Sequence, residues 1–153
     1  MDKKIVIFDL DGTLALIDNR RDLSMVSGKR DWDVFFDPKN IDLDLPNQPV
    51  IKTAQLFHSQ GFTIIILSGR SKATKDATND WLDKYDVPCD VLKMRPTGND
   101  WHYMKDSDLK QHWLDDIFPD KNDIFAVFDD RQQVVDMWRA NGLTCFQVAE
   151  GDF

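Results

Sequence analysis

Apolar residues occur along the chain in short runs of four or five, separated by stretches of mixed character. The runs occupy residues 5–8, 63–67, 124–128 and 144–148, with a weaker run at 90–94. Successive positions within a run are apolar, whereas a strand with one face in water alternates apolar and polar side chains. Each run therefore fits a strand that is covered on both faces, as in a parallel sheet.

Helical periodicity fills the intervals between these runs. Apolar side chains recur there every three or four residues, which is the spacing of one face of an α-helix. The positions that carry this pattern are Ile51, Ala54 and Phe57; Ala77, Trp81 and Tyr85; Leu109, Trp113 and Ile117; and Val134 with Trp138. Their tryptophans are expected in the core. Alternating strands and helices predict an α/β fold with a doubly wound parallel sheet of five strands and a small cap or none.

Residues 16–48 do not follow either pattern. We expect a single domain over residues 1–153 with an irregular, lid-like insertion at about residues 16–48, which carries the aromatic residues Trp32, Phe35 and Phe36. Because the insertion follows the first strand, it would lie above the edge of the sheet at which ligands bind. A lid or binding loop and a surface excursion with a small hydrophobic anchor both fit this segment.

Composition narrows the range of functions. The chain has 19 lysines and arginines against 27 aspartates and glutamates, a net charge of −8. This charge argues against coating nucleic acid through bulk attraction, but it allows a local basic pocket around a phosphate. Cys89 and Cys145 lie far apart and outside any zinc-ligand spacing, so free thiols are favoured and one disulfide stays open. The apolar runs are too short for a signal peptide or a membrane helix, so we expect a soluble, cytoplasmic protein that does not bind a membrane, and the sequence predicts no protein partner.

Carboxylates follow two of the predicted strands at their carboxyl ends. Asp9 and Asp11 come directly after the first run, and Asp129 and Asp130 come after the run at 124–128. Because the carboxyl ends of parallel strands meet at one edge of the sheet, we expect these side chains to lie close together. Such carboxylates repel each other unless a cation joins them, and hard oxygen donors select Mg²⁺. The sequence therefore predicts a magnesium site held by these four aspartates.

Groups that bind phosphate oxygens are expected at the same edge. Hydroxyls and the backbone amides of a glycine turn bind phosphate, and a lysine would complete the charge balance. The candidates in chain order are Thr13, Ser68, Gly69 and Lys110, with Lys105 as a weaker choice of lysine.

Several residues near this edge also have simpler interpretations. Ser68 could be the N-cap of the helix that follows it, which is compatible with phosphate binding because a helix N-terminus attracts anions. Asp106 could be the N-cap of its own helix. Trp101, His102 and Tyr103 could stack on a nucleobase or could simply pack the loop that carries them.

Residues 9–13 read Asp-Leu-Asp-Gly-Thr and resemble the DxDGT signature of the haloacid dehalogenase superfamily. Ser68, Lys110 and the pair at 129–130 resemble its second, third and fourth motifs and occur in the family's order. A closer resemblance, over nearly the whole chain, is to the 3′-phosphatase domain of bacteriophage polynucleotide kinase/phosphatase. The matching stretches lie within residues 6–15, 67–75, 128–139 and 146–153. The GxxxxGK[ST] pattern of a P-loop kinase does not occur in these 153 residues, so we expect no kinase within them.

The resemblance implies roles for the aspartates. Asp9 would be the nucleophile that becomes an aspartyl-phosphate. Asp11 would be the general acid for the leaving alcohol and then the general base for water. Asp129 would bind Mg²⁺ directly, with Asp130 as a further ligand or a supporting group.

The resemblance also implies roles for the remaining candidates. Ser68 and Lys110 would hold phosphate oxygens, while Arg20 and Arg70 would contact the substrate phosphate or shape the site. We therefore expect a magnesium-dependent phosphomonoesterase that removes the 3′-phosphate of a polynucleotide end or a nucleotide. Two alternatives stay open: a phosphatase of free nucleotides or other small phosphoesters, and a receiver-like phosphoacceptor module.

Overall fold

Five parallel strands form the central sheet of the protein in a computed structural model that describes residues 4–151. The strands are β1 Ile5–Phe8, β2 Thr63–Ser71, β3 Val91–Arg95, β4 Ile124–Arg131 and β5 Cys145–Gly151. Their order across the sheet is β3-β2-β1-β4-β5, so β1 is central. In the register, Phe8 pairs with Ile66 on one side and with Phe128 on the other.

Helices cover both faces of this sheet. The principal helices are α1 Gln48–Ser59, α2 Lys75–Lys84, α3 Asp106–Ile117 and α4 Gln132–Ala140. Val6 and Phe8 pack with Trp81 of α2 in one core layer, whereas Ile7 packs with Trp113 of α3 in the other. Because neighbouring residues of β1 face different layers, successive positions must be apolar. The predicted α/β fold with a doubly wound, five-stranded parallel sheet is confirmed.

The beginnings of two helices differ from the predictions. Helix α2 begins at Lys75, after a short 3₁₀ helix at Lys72–Thr74 whose N-cap is Ser71. Ser68 is therefore not a helix N-cap. Asp106 is the first residue of α3 rather than its N-cap, and its carboxylate is taken up by two arginines described below.

Residues 16–48 contain short elements that periodicity did not predict. They comprise the helices Asp18–Leu23 and Trp32–Phe35, a hairpin of Met25–Val26 with Lys29–Arg30, and a 3₁₀ helix at Pro38–Leu43. A short antiparallel pair, Ala15–Leu16 with Leu45–Pro46, brings the two ends of this segment together. We call residues 16–48 the insertion.

The cysteines and the tryptophans of the predicted helices lie in the environments that the sequence favoured. Cys89 and Cys145 are free thiols, as favoured from the sequence. Trp81, Trp113 and Trp138 are buried in the core, as expected. Within residues 4–151, every helix is too short or too polar to cross a membrane.

Candidate active site

The first strand delivers two aspartates to the carboxyl edge of the sheet. The backbone N–H of Asp9 still donates to the carbonyl of Phe128 at 2.9 Å, so Asp9 continues the ladder. The chain then turns sharply, and the carbonyl of Leu10 accepts the N–H groups of the three residues at 13–15 at 2.9–3.1 Å. Gly12 makes this turn possible because its φ of +83° lies in the left-handed region. A Cβ at Gly12 would also collide with the carboxylate of Asp130.

Three buried carboxylates meet at this edge. Asp9, Asp129 and Asp130 each offer an oxygen, and these oxygens lie within 4.8 Å of one another. Thr13 lies between two of them, with its hydroxyl 3.3 Å from Asp9 Oδ2 and 3.3 Å from Asp130 Oδ1. Asp129 is oriented by the backbone N–H of Asp130 at 2.8 Å and by Nε1 of Trp138 at 3.1 Å. We call Asp9, Asp129 and Asp130 the carboxylate cluster.

Lys110 is the cation that α3 brings to this cluster. Its buried Nζ lies 2.7 Å from Asp9 Oδ1 and 3.1 Å from Asp129 Oδ2. Burial and the negative charge of Asp129 raise the pKa of Asp9 well above its usual range, although Lys110 opposes this shift. One ammonium group leaves two of the three negative charges unbalanced when all three carboxylates are ionised. The cluster thus fits a divalent cation in both donor type and charge.

Asp11 lies in a different electrostatic environment. Its Oδ1 accepts hydrogen bonds from Arg70 Nε at 2.8 Å, Arg70 Nη2 at 2.6 Å and Arg20 Nη2 at 2.8 Å. Burial alone would raise the pKa of Asp11, but the charges of Arg70 and Arg20 outweigh it and lower the pKa to about 2. Two aspartates only two residues apart are therefore shifted in opposite directions. The Asp11 carboxylate contributes no oxygen to the carboxylate cluster.

Asp44, in the insertion, is a buried residue that the sequence analysis missed. Its carboxylate accepts from Arg20 Nε at 3.0 Å, Arg20 Nη2 at 2.9 Å and Arg70 Nη2 at 2.8 Å. Arg20 and Arg70 are themselves fully buried, and both bridge Asp11 to Asp44. We call these four residues the arginine–aspartate network. The phosphate contact predicted for Arg20 and Arg70 stays a prediction. The structure shows in addition that both arginines bind the Asp11 carboxylate.

A second ion cluster fixes the neighbouring loop. Asp106 accepts from Arg95 Nη2 at 2.6 Å and from Arg131 Nη1 at 2.9 Å. Arg95 also donates from Nη1 to the carbonyl of Trp101 at 2.6 Å and to the carbonyl of Met104 at 2.7 Å. These bonds tie the ends of β3 and β4 to the loop before α3. The sequence offered Asp106 only as a helix N-cap, because nothing local identifies its distant partners.

The remaining phosphate candidates lie at the end of β2. Ser68 is buried, and its Oγ accepts the backbone N–H of Arg70 at 3.1 Å. Gly69 lines the cavity described below, and a Cβ there would fall 2.5 Å from an oxygen of Asp106. The structure thus brings Ser68 and Gly69 to the same edge as the aspartates, as the sequence predicted, while their phosphate-binding role stays a prediction.

A cavity of about 960 Å³ opens over these groups. Asp9, Asp11 and Lys110 line it together with several aromatic side chains. The aromatic and histidine side chains that line it are Trp32, Phe35, Phe36, His102 and Tyr103. The structure therefore separates Trp101 from the two residues that follow it. Trp101 packs against the core and His112, whereas His102 and Tyr103 face the cavity.

Solved phosphatases share this architecture. D,D-heptose 1.7-bisphosphate phosphatase from B. bronchiseptica, complexed with magnesium and phosphate, superimposes with a TM-score of 0.57 and 13% identity, over 94% of this chain and 79% of that one. A likeness at this identity shows the fold alone. The DxDGT turn and the motifs lie at one edge of the sheet, as the resemblance implied, and a family model that matches residues 3–153 makes the chain a phosphatase of the haloacid dehalogenase superfamily.

The particular family follows from sequence comparison. The family model of the polynucleotide kinase PNKP phosphatase domain matches residues 3–153, and the chain belongs to this family. A chain in the structure of the Pnkp1/Rnl/Hen1 complex is 38% identical, with a TM-score of 0.82 over 99% of this chain and 47% of that one. A protein of Autographa californica nuclear polyhedrosis virus, provisionally named a bifunctional polynucleotide kinase/RNA ligase, is 33% identical over 139 residues, 89% of this chain and 18% of its own length. The chain thus spans less than half of these relatives.

Proposed function

We propose that this phosphatase removes the 3′-phosphate from polynucleotide ends, depends on Mg²⁺ and acts through an aspartyl-phosphate on Asp9. The observation that carries the proposal is the contrast between Asp9 and Asp11. Asp9 lies among carboxylates that fit a cation, whereas Asp11 is held by two arginines at the same edge of the sheet. Environments that separate the properties of two neighbouring carboxyl groups are typical of sites that assign them different chemical roles.

The residues that would hold Mg²⁺ are Asp9, Asp129 and Asp130. All three are buried, and their oxygens are near enough to share one ion. When bound, the cation would offset the negative charge that otherwise keeps a carboxylate away from a phosphate anion. Asp11, which the sequence analysis also proposed as a ligand, is omitted from this set because its carboxylate serves the two arginines.

Asp9 is proposed as the nucleophile. Lys110 holds Asp9 Oδ1 at 2.7 Å and thereby fixes the plane of the carboxylate while favouring its ionised form. In the first step an Asp9 oxygen attacks phosphorus and the bond to the 3′-oxygen breaks. In the second, water attacks the same phosphorus, the bond to Asp9 breaks and inorganic phosphate leaves.

Asp11 is proposed to move the protons of both steps. With a pKa of about 2 it is ionised in the free protein at neutral pH, which is the form needed to deprotonate water in the second step. In the first step it must instead protonate the leaving 3′-oxygen. Binding of a phosphate dianion nearby raises the pKa of a carboxylate, so we propose that Asp11 acquires this proton with the substrate.

Polynucleotide ends are favoured over small phosphoesters by the family and by the cavity. The family is that of the polynucleotide kinase phosphatase domain, and the viral relative is named for a polynucleotide kinase and an RNA ligase. A cavity of about 960 Å³ is far larger than a phosphate group requires. Family membership also favours hydrolysis over storage of the phosphoryl group, which a receiver-like module would need.

Phosphate release would test the proposal directly. A 3′-phosphorylated oligonucleotide, its 5′-phosphorylated counterpart and a 3′-mononucleotide are compared with Mg²⁺ and with EDTA. The catalytic control is Asp9→Asn, and the charge-matched control is Asp108→Asn, which changes an exposed carboxylate on α3. We expect release from the 3′-oligonucleotide with Mg²⁺ by the wild type and Asp108→Asn, and none by Asp9→Asn. Full activity of Asp9→Asn would overturn the mechanism, and faster turnover of the mononucleotide would move the substrate to free nucleotides.

A further inference from the structure

We propose that Trp32, backed by Phe36, is a stacking surface for a nucleobase next to the 3′-phosphate, and that the substrate is therefore a single-stranded 3′ end. This inference rests on the proposed function and specifies its substrate.

Trp32 is unusually exposed for a tryptophan. It is 58% exposed, whereas Trp81, Trp113 and Trp138 are buried. Large apolar side chains are normally buried on folding, so an exposed one inside a functional cavity suggests contact with a ligand. The position is therefore available to a planar apolar group from outside the protein.

The ring of Trp32 is held in place by its neighbours. It stacks on Phe36 with ring centroids 5.8 Å apart and an interplanar angle of 18°, and Phe35 meets it edge-on at 5.6 Å. Phe35 is buried and anchors the group to the core. Asp31 caps the short helix Trp32–Phe35 by accepting the N–H of Asp33 and of Val34. Trp32 thus offers a rigid surface, which lowers the entropy lost when a base stacks on it.

This surface belongs to the same cavity as the catalytic candidates. Trp32 and Phe36 line the cavity that Asp9 and Lys110 also line. Its volume of about 960 Å³ leaves room for a nucleoside beside a phosphate at the carboxylate cluster. A phosphorylated end placed on Asp9 can therefore extend its base towards the insertion.

The local charge also suits a short nucleic-acid strand. Arg21 and Arg30 of the insertion line the cavity, although the whole chain carries a net charge of −8. The Arg30 guanidinium lies over the Trp32 ring, 5.9 Å from its centroid, and is held there by donating to the carbonyl of Arg21 and to Ser24 Oγ at 2.6 and 2.7 Å. A basic group beside an aromatic surface is typical of sites for single strands.

A single strand is favoured over a duplex because stacking needs an accessible base face. At a duplex end the terminal base is held by pairing and by stacking on its inner neighbour, so it cannot turn towards a side chain without unpairing, whereas a single-stranded end can turn its base onto a side chain. Tyr103, which is 84% exposed and lines the same cavity, offers a second aromatic ring from the loop before α3. Every base has a planar face, so we expect little sequence preference.

The test compares two oligonucleotides that differ only at the 3′-terminal nucleotide. One has a base and the other has an abasic sugar, and both carry a 3′-phosphate. The measured quantity is the ratio of kcat/KM for the two substrates. For the wild type we expect a ratio on the order of tenfold to a hundredfold, arising from KM, because stacking on one aromatic side chain contributes about this much.

Three variants make this ratio specific to Trp32. Trp32→Ala is expected to bring it close to one, while Trp32→Phe retains most of it because an aromatic ring remains. Leu56→Ala is the matched control, since Leu56 is 57% exposed and lies on α1, outside the residues that line the cavity. A wild-type ratio near one, or an unchanged ratio in Trp32→Ala, would overturn the proposal. Equal kcat/KM for a blunt duplex and a single strand would overturn the single-strand part.

A binding measurement separates failure of this inference from failure of the proposed function. Fluorescence anisotropy of a labelled, 3′-phosphorylated single strand is followed in EDTA. If the wild type released no phosphate from any substrate, the proposed function would fail, but the anisotropy would still decide the inference. Binding weakened about tenfold in Trp32→Ala relative to Leu56→Ala supports the stacking surface, and equal binding by the two variants overturns it.

Discussion

Replacing Asp44 by asparagine removes one charge from a buried group of four. In the wild type, the two positive charges of Arg20 and Arg70 are balanced by Asp11 and Asp44. Asp44→Asn leaves a buried excess of one positive charge. It also turns an amide group, itself a donor, towards guanidinium groups that can only donate.

The expected loss of stability follows from the burial of Asp44 and of the two arginines that it binds. Arg20, Arg70 and Asp44 side chains are fully buried, so water cannot replace the lost carboxylate. Breaking a buried ion pair by removing one partner costs about 3–5 kcal/mol. For a domain of about 150 residues, each kcal/mol lowers Tm by about 2–4 °C. We therefore expect Asp44→Asn to lower Tm by roughly 6–20 °C.

Urea unfolding and thermal unfolding, both followed by circular dichroism, would measure this loss. The control is Asp42→Asn, because Asp42 lies two residues away and its carboxylate is 71% exposed where it meets Lys84. This surface pair is screened by water, so its loss is expected to change Tm little. A loss below about 1 kcal/mol in Asp44→Asn, or equal losses in both variants, would refute the view that the network depends on its buried charge balance.

Three further predictions concern the turn, the cation and the thiols. Gly12→Ala should displace the Asp130 carboxylate and reduce phosphate release at least tenfold. Gly61 is the control, because it has a φ of +90° but open space around it, so Gly61→Ala should lower the free energy of unfolding in urea by only about 1–2 kcal/mol. Mg²⁺ at a hundredfold excess over its Kd should stabilise the wild type by about 2.7 kcal/mol, which is measured as a rise in Tm. The rise should be smaller in Asp130→Asn, and an equal rise in both proteins would exclude the carboxylate cluster as the Mg²⁺ site. Burial raises the pKa of Cys89 to about 11 and that of Cys145 to about 12, so thiolate appears only at strongly alkaline pH. Alkylation by iodoacetamide at pH 8 should thus be at least about a hundredfold slower in the folded protein than in urea, and equal rates would contradict this.

Much of the fold could be predicted because both faces of the sheet are covered. Neighbouring residues such as Val6 and Ile7 face different core layers, and this geometry leaves continuous apolar runs in the sequence. The meeting of Asp9 with Asp129 could be predicted for a related reason. Both directly follow strands, and parallel strands place their carboxyl ends at one edge.

The arginine–aspartate network could not be predicted in the same way. Arg20 and Asp44 lie 24 positions apart in a segment with neither strand nor helix periodicity, so no local pattern relates them. Asp44 differs from the neighbouring Asp42 only in its environment, since one is buried and the other exposed. Burial of a charged side chain depends on partners that tertiary structure supplies.

The start of α2 shows a second limit. Ser68 and Ser71 both suit an N-cap by residue type, and β2 continues through Ser71 before the 3₁₀ turn begins. The strand continues because β2 pairs with β3 as far as Ser71 and Arg95, after a register shift that follows Ser68. Such an irregularity arises from contacts between strands, so it has no signature along one of them.

The way the insertion is fastened bears on how proteins of this kind diverge. Its ends are pinned by the pairing of Ala15–Leu16 with Leu45–Pro46 and by the bonds of Arg20 to Asp44, and its middle is anchored in the core by Phe35 and Ile41. The exposed hairpin of Met25–Val26 with Lys29–Arg30 is the part that can vary in length without disturbing these anchors. Asp9 and Asp11 keep their places when this hairpin changes, so the surface beside the cavity can vary without moving the two aspartates.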